Sequence, residues 1–415
     1  MQSIHRAHLA VLMLAVAVNV LPADEFRPQT LQSTITNVQP MTGIVLWSTN
    51  EAAATAPIQL EYAYLKYDQV VQEKGIYDWQ PVENLLNEIA GRKHQAILRW
   101  HDTYVGEPTG VPAFIKALPD YRETTAKSEN KPTGFPDWSN QEWQAFVLEF
   151  FTAFAEKYDR DPRIAFVQVG FGLWAEYHIY DGPMTLGKTF PDKSFQLTFT
   201  GHLASQFRKT PWMISVDAAG DHTPFAEDPM LAHAPFGLFD DSFNHRLHEK
   251  ENEPNWRILG LDRWQRAPTG GEFSFFSKKD QKEALSPKGP YGIPFSEQAA
   301  KFHVSFIIGD DQTRFQKAPV IRNAGMSCGY QFKVTRFVSS STQSELDIEN
   351  MGIAPIYFDA FPAIDGVRSE GSLKGLLPRE SRTFRIAQGS KMPLVTIECD
   401  RLVPGQKIEY SADLQ

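Results

Sequence analysis

At 415 residues the chain exceeds one ordinary domain and has the length of a barrel joined to an accessory domain. Its net charge of −9 argues against nucleic acid as a partner, and 42% hydrophobic residues are ample for a large core. The 9 Trp, 13 Tyr and 29 Phe suit core packing first, and stacking on the apolar faces of sugars second.

Residues 1–23 read as an export signal. His5, Arg6 and His8 precede an apolar run from Leu9 to Val20 that is too short to span a bilayer, and cleavage fits after Ala23. No Cys lies near that position, so no lipid anchor is expected, and no other segment reaches transmembrane length. The expectation is a periplasmic or secreted protein without a membrane anchor. Residues 24–42 read as a linker.

From 43 to 318 apolar runs alternate with helical patterns, which predicts parallel βα units. The strand candidates begin with Gly43 to Ser48, which carries Trp47, and Gln59 to Leu65. A helix from Pro81 to Arg92 leads to the third, Gln95 to Trp100, which ends in His101 and Asp102. A long loop follows to about Asp137, rich in Pro, Gly and charge, and a loop of that length on a barrel mouth can wall a cleft. The amphipathic helix Asn140 to Tyr158 leads to the fourth strand, from Ala165 toward Glu176. Pro211 to Val216 is the fifth, ending at Asp217, and Phe236 to Phe239 the sixth, ending at Asp240 and Asp241. The seventh, Arg266 to Thr269 with Gly270 and Gly271, reaches Glu272, and His303 to Ile308 is the eighth. Eight strands with polar residues at most of their C-terminal ends predict a (β/α)8 TIM barrel.

From 319 to 415 short alternating segments predict a C-terminal all-β sandwich domain. None of the 9 Trp lies there, which favours a structural role over independent glycan binding. Cys328 and Cys399 can close one disulfide in an exported chain or stay as two buried thiols.

Glu176 and Glu272 are the leading catalytic candidates. Cleaving a glycosidic bond requires one carboxyl to protonate the leaving oxygen and a second to attack the anomeric carbon or activate water. Trp47, Trp174, His101, Asp102, His178, Asp217, Asp240 and Asp241 are candidates for binding substrate around them. Each has a plainer reading: a rim salt bridge, a helix cap, or a partner for loop backbone. No H-x-H or H-E-x-x-H spacing, G-x-S-x-G or phosphate loop is present, so neither metal nor cofactor is expected.

Several stretches resemble a known group. Gly75-Ile76-Tyr77-Asp78-Trp79 is similar to the second βα unit of clan A glycoside hydrolases. Gly172-Leu173-Trp174-Ala175-Glu176-Tyr177-His178 and Thr269-Gly270-Gly271-Glu272 resemble the fourth- and seventh-strand motifs of exported barrel proteins. Glu349-Asn350-Met351-Gly352-Ile353-Ala354-Pro355 is similar to a strand of their appended sandwich. The resemblance runs from about residue 40 to the end and implies Glu176 as acid/base and Glu272 as nucleophile, with retained configuration. It departs at Ala175, where most clan A enzymes carry an Asn that binds the sugar; His101 and His178 are the candidates to replace it. Family 167 of the glycoside hydrolases is the branch it most resembles, which implies β-galactosidic bonds of carrageenan-type oligosaccharides. Arg99, Arg263 and Arg266 flank strand ends and are candidates to meet anionic groups or to form rim salt bridges.

The expectation is an exported, exo-acting retaining glycosidase on oligosaccharides. A non-catalytic carbohydrate-binding protein on the same barrel is the alternative, favoured by Ala175 and opposed by the two Glu residues. A lyase or transglycosylase using the same carboxyls is a third, separated by its products.

Overall fold

The computed structural model describes residues 25–415 apart from 229–230, 232, 246–249, 251 and 391. The export signal expected at 1–23 lies outside the described residues.

Eight parallel strands close into a barrel in chain order: Gly43–Trp47, Leu60–Lys66, Gln95–His101, Ile164–Gln168, Trp212–Ser215, Phe236–Phe243, Thr269–Phe273 and Phe306–Ile308. Side chains alternate across each strand. Val45, Tyr62, Ile97, Phe166, Met213, Phe239, Phe306 and Ile308 fill the interior, in one apolar cluster. Ile44, Leu46, Leu98, Trp100, Val167, Trp212, Ile214 and Leu238 belong to a second cluster with the outer helices. Gly270 is small for a packing reason: a Cβ there would sit 2.6 Å from the Phe306 ring.

The helix Gln141–Tyr158 begins where the Asn140 side chain accepts the Trp143 N–H at 3.0 Å. Its Phe150 ring lies 4.7 Å from Trp100 and 4.8 Å from Tyr67, so this aromatic stripe is core. The long loop after the third strand is more ordered than expected. It contains the short helix Ala113–Lys116 and a hairpin of Thr124–Ser128 with Lys131–Phe135. Glu129 and Asn130 form its two-residue turn at φ 49° and 60°, the left-handed geometry that matches strand twist.

Beyond the barrel, one sheet holds Phe332–Ser339, Ser344–Asn350, Ser381–Ile386 and Tyr410–Leu414, and a second holds Ala360–Ile364, Val367–Arg368 and Val395–Cys399. The stretch 24–42, read as a linker, contributes two strands to the larger sheet. Arg27–Pro28 pairs with Ser339 and Val338, and Leu31–Ser33 pairs antiparallel with Leu414, Asp413 and Ala412. These strands are too short for alternation to reveal them. The beginning of the expected sandwich also differs: Ala318–Met326 is a helix with Pro in its first turn, and its Gly325 packs against Gly43. Cys328 and Cys399 are buried and unpaired.

The accessory sheets dock on the N-terminal end of the barrel. Arg401 donates to Asp159 O at 3.1 Å, Ile164 O at 2.8 Å and Thr210 Oγ1 at 2.8 Å. Gln95 Nε2 donates to Arg401 O at 2.6 Å, and Tyr357 Oη to Trp264 O at 2.6 Å. Phe358 stands 6.2 Å from Phe166 inside the barrel, and Tyr330 and Ile356 join the same cluster. One continuous apolar core therefore runs from the barrel floor into the sandwich. Phe358→Ala is expected to cost about 3–4 kcal/mol in urea unfolding, and a loss below about 1 kcal/mol would mean the floor is not sealed this way.

Candidate active site

The alternation that packs the barrel interior also selects the side chains at its C-terminal mouth. Trp47, Tyr64, Arg99, His101, Gln168, Ser215, Asp241 and Glu272 continue the interior parity of their strands, while Trp100, Asp102 and Asp240 fall on the outer parity.

Arg99 is the centre of this mouth and is fully buried. Its Nε donates to Gln168 Oε1 at 2.8 Å, and Nη1 donates to Glu176 Oε1 at 2.5 Å and Tyr64 Oη at 3.1 Å. Nη2 reaches Asp241 Oδ1 at 3.2 Å, and the guanidinium lies 4.2 Å from the Phe239 ring centroid. Asp241 also accepts from Ser215 Oγ at 3.1 Å.

Glu176 arrives by a different route than expected. The fourth strand ends at Gln168, so Glu176 sits in a loop that folds back over the mouth. Trp174, Ala175 and Tyr177 adopt φ of 54°, 61° and 60°, a concentration of left-handed non-glycine backbone that the surroundings must hold. Trp174 N donates to Thr103 O at 3.0 Å, Leu173 N to His178 O at 2.9 Å and Tyr177 N to Phe171 O at 2.9 Å. Gly170 and Gly172 permit this fold-back, since a Cβ on either would lie 2.0 Å from Ala175 O or 2.3 Å from His178 O. Ala175 is itself buried, so this position presents nothing to a ligand.

His178 Nδ1 pairs with Asp217 Oδ2 at 2.6 Å, and its Nε2 faces Glu176 Oε2 at 3.6 Å. Trp174 stacks with the exposed Tyr180 at 6.0 Å and meets Tyr104 edge-on at 6.1 Å. The hairpin tip clasps this loop: Glu129 accepts from Tyr180 Oη, and Glu129 N donates to Asp181 Oδ2 at 2.5 Å. Trp47 packs at 5.1 Å from Tyr62 and Tyr64, and His101 at 5.1 Å from Tyr64.

Burial sets the protonation of this cluster. It pushes Glu176 well above the carboxylate range, helped by the charges of Asp241 and Glu272 and opposed by Arg99. Burial likewise raises Glu272 to about 8, with Arg99 opposing and Asp241 and Asp310 assisting. Asp241 is raised to about 6 by burial, against Arg99. His101 is lowered to about 3 by burial and by the charges of Lys66 and Arg99, so it is a neutral imidazole at ordinary pH.

Three expected binding residues are corrected. Arg263 is buried away from the mouth, donating to Leu259 O, Ala234 O and Leu231 O at 2.9, 2.6 and 3.2 Å; it ties loop carbonyls together. Asp240 accepts from Ser242 N, Asn252 Nδ2 and Trp256 Nε1 at 2.9, 2.6 and 3.1 Å, holding the loop after the sixth strand. Asp102 accepts from Thr103 Oγ1 at 2.8 Å, and its charge is felt by Tyr67 and Tyr121 of the outer layer. Arg266 pairs with Asp262 at 3.5 Å on the surface. Sequence reasoning missed Tyr64, Gln168, Ser215, Tyr104 and Tyr180. Strand parity would have found the first three; the last two lie on loops and carried no signal. Asp310, just after the eighth strand, accepts from Trp47 N at 2.9 Å and Asn50 Nδ2 at 2.8 Å and fixes the end of the first strand. Among the described residues no group of three or more His, Cys, Asp or Glu is arranged to hold a metal ion.

No protein-family model matches the chain, and no curated protein matches it. Among solved structures, endo-glycoceramidase II from Rhodococcus sp. overlaps 88% of this chain and 100% of its own, with TM-score 0.42 and 10% identity. An alpha-galactosidase from Geobacillus stearothermophilus overlaps 88% of this chain and 56% of its own, with TM-score 0.38 and 11% identity. One from Thermus thermophilus overlaps 75% and 66%, with TM-score 0.38 and 10% identity. Likeness this distant carries no chemistry across, so the functional reading rests on the geometry above.

A raised carboxyl has a cost for folding. Glu272 holds its proton more tightly folded than unfolded, so its contribution to stability is fully present below about 4.5 and is lost as pH rises toward about 8. Glu272→Gln is therefore expected to stabilise the protein at pH 9 by on the order of 2 kcal/mol, with little change at pH 4. Denaturant melts at the two pH values check this, and an equal shift at both would refute it.

Proposed function

We propose that this protein is an exported, retaining glycoside hydrolase. The observation that carries the reading is the placement of Glu176 and Glu272 around one buried Arg99 at a barrel mouth, where burial raises both carboxyls above their ordinary range. In the first step Glu176 gives its proton to the glycosidic oxygen while the Glu272 carboxylate attacks the anomeric carbon, releasing the leaving sugar. In the second step Glu176 takes a proton from water, whose oxygen displaces Glu272 and frees the product. Glu176 is buried and Glu272 half-buried, and the more enclosed carboxyl is the better placed to stay protonated as the acid.

Trp47, Trp174 and Tyr180 supply apolar faces for sugar rings, and His101 and His178 supply hydrogen bonds to hydroxyls. The clasped hairpin walls one side of the mouth, which fits exo action on an oligosaccharide end. The finer substrate we propose is a β-galactosidic bond in carrageenan-type algal galactan oligosaccharides, on the likeness of the sequence motifs.

Aryl β-glycosides and neutral and sulfated galactan oligosaccharides, followed by proton NMR of the first-formed anomer, test the reading. Retained β-configuration is expected, with Glu176→Gln and Glu272→Gln each lowering kcat/KM on natural linkages by about 10³ or more. Turnover that survives both substitutions, or an inverted product, would refute the assignment. For the wild type, kcat/KM is expected to climb toward pH of about 8 as Glu272 ionises. An optimum at pH 5 would contradict these roles.

A further inference from the structure

The proposed mechanism uses two carboxyls, and the mouth holds a third that it does not use. Asp241 and Glu176 occupy two arms of one guanidinium, Glu176 on Nη1 at 2.5 Å and Asp241 on Nη2 at 3.2 Å. We propose that Asp241 is a positioning residue: by sharing Arg99 with Glu176 it offsets the guanidinium charge and keeps the transferable proton on Glu176. This rests on the hydrolase reading and names the residue that tunes it.

Arg99 cannot surrender its own proton, and its orientation is fixed by Gln168, Tyr64 and the Phe239 face. With only Glu176 beside it, so close a buried cation would hold that carboxyl ionised and useless as an acid. A second carboxylate on the same guanidinium changes this. One positive charge offsets one negative charge, so a buried pair of carboxyls around it retains one proton. The partners decide where that proton stays. Asp241 has the Ser215 hydroxyl as a further donor at 3.1 Å and a side chain 16% exposed, against 8% for Glu176. The groups that face Asp241 are Arg99, Asp217, His178, Asp240, Glu176 and Glu272. Those that face Glu176 are Arg99, Asp241, Glu272 and His178. Asp241 is thus the better-solvated anion, and the more enclosed Glu176 is left as the acid.

The test compares wild type, Asp241→Asn and Asp241→Glu on two independent readouts. On an aryl β-glycoside, Asp241→Asn is expected to move both limbs of the kcat/KM profile toward acid by about one pH unit. KM should change little, and Asp241→Glu should restore the wild-type limbs. A residue that merely supports the loop would lower kcat without moving the limbs, and unmoved limbs would overturn the proposal. The second readout needs no turnover. Glu176 and Glu272 are held above their unfolded values, so the wild type loses thermal stability between pH 6.5 and 9. Asp241→Asn should lose only about half as much, because both carboxyls relax downward. Equal losses would overturn the shared proton. A wild type that cleaves no glycoside but shows the halved loss would refute the hydrolase reading while upholding the role of Asp241.

Discussion

A charge that cannot leave governs this barrel mouth. Arg99 is a permanent cation with no water around it, and such a group is tolerable only where carboxylates and π faces surround it. Tyr62, Tyr64 and Phe239 close around its plane, and its donors reach out to the fourth and sixth strands and to the loop that carries Glu176. Remove that cation, and three carboxyls from three parts of the chain would face one another without the charge that offsets them. The same residue fixes the position of the carboxyls and limits how many can be charged.

The Glu176 loop shows what it takes to bring a reactive group to such a centre. Three non-glycine residues in left-handed conformation store strain that an open loop would release. Backbone bonds to Thr103, Phe171 and His178, with two glycines that let the chain pass close to itself, contain it. The hairpin tip adds a brace from outside through Glu129. Strain here serves placement: the loop has one geometry in which Glu176 meets Arg99.

Much of this was legible in the residues. Each of the eight strand candidates became a barrel strand, because runs such as Gln95 to Trp100 are apolar on both faces and bounded by turn residues. Glu176, Glu272, His178, Asp217 and Trp174 do gather at the mouth. Asp240 and Asp102 were chosen for lying near strand ends, whereas facing the mouth depends on parity along the strand. Arg263 lies on a short turn of helix ahead of the seventh strand, at the end away from the mouth. Counting in twos from Phe239 selects Asp241 and rejects its neighbour. Loop contributions, such as Tyr104 and Tyr180, depend on folds between distant segments and leave no local pattern. The strands at 27–33 were hidden for a similar reason, since their partners at 338–339 and 412–414 lie far away in sequence.

That last pairing bears on how the molecule is assembled. Leu31 stands beside Leu414, so the larger accessory sheet joins segments that flank the whole barrel in sequence. Barrel strands can begin to associate as they emerge, but this sheet closes only after the segment beyond the barrel has been made. Contacts of such long sequence separation are slow to form, because loop-closure entropy is lost before any bond repays it. The barrel floor is likewise sealed by residues that follow the whole barrel in sequence, Phe358 and Arg401. Until then the chain exposes an apolar barrel end and an open sheet edge, the two surfaces most prone to wrong association.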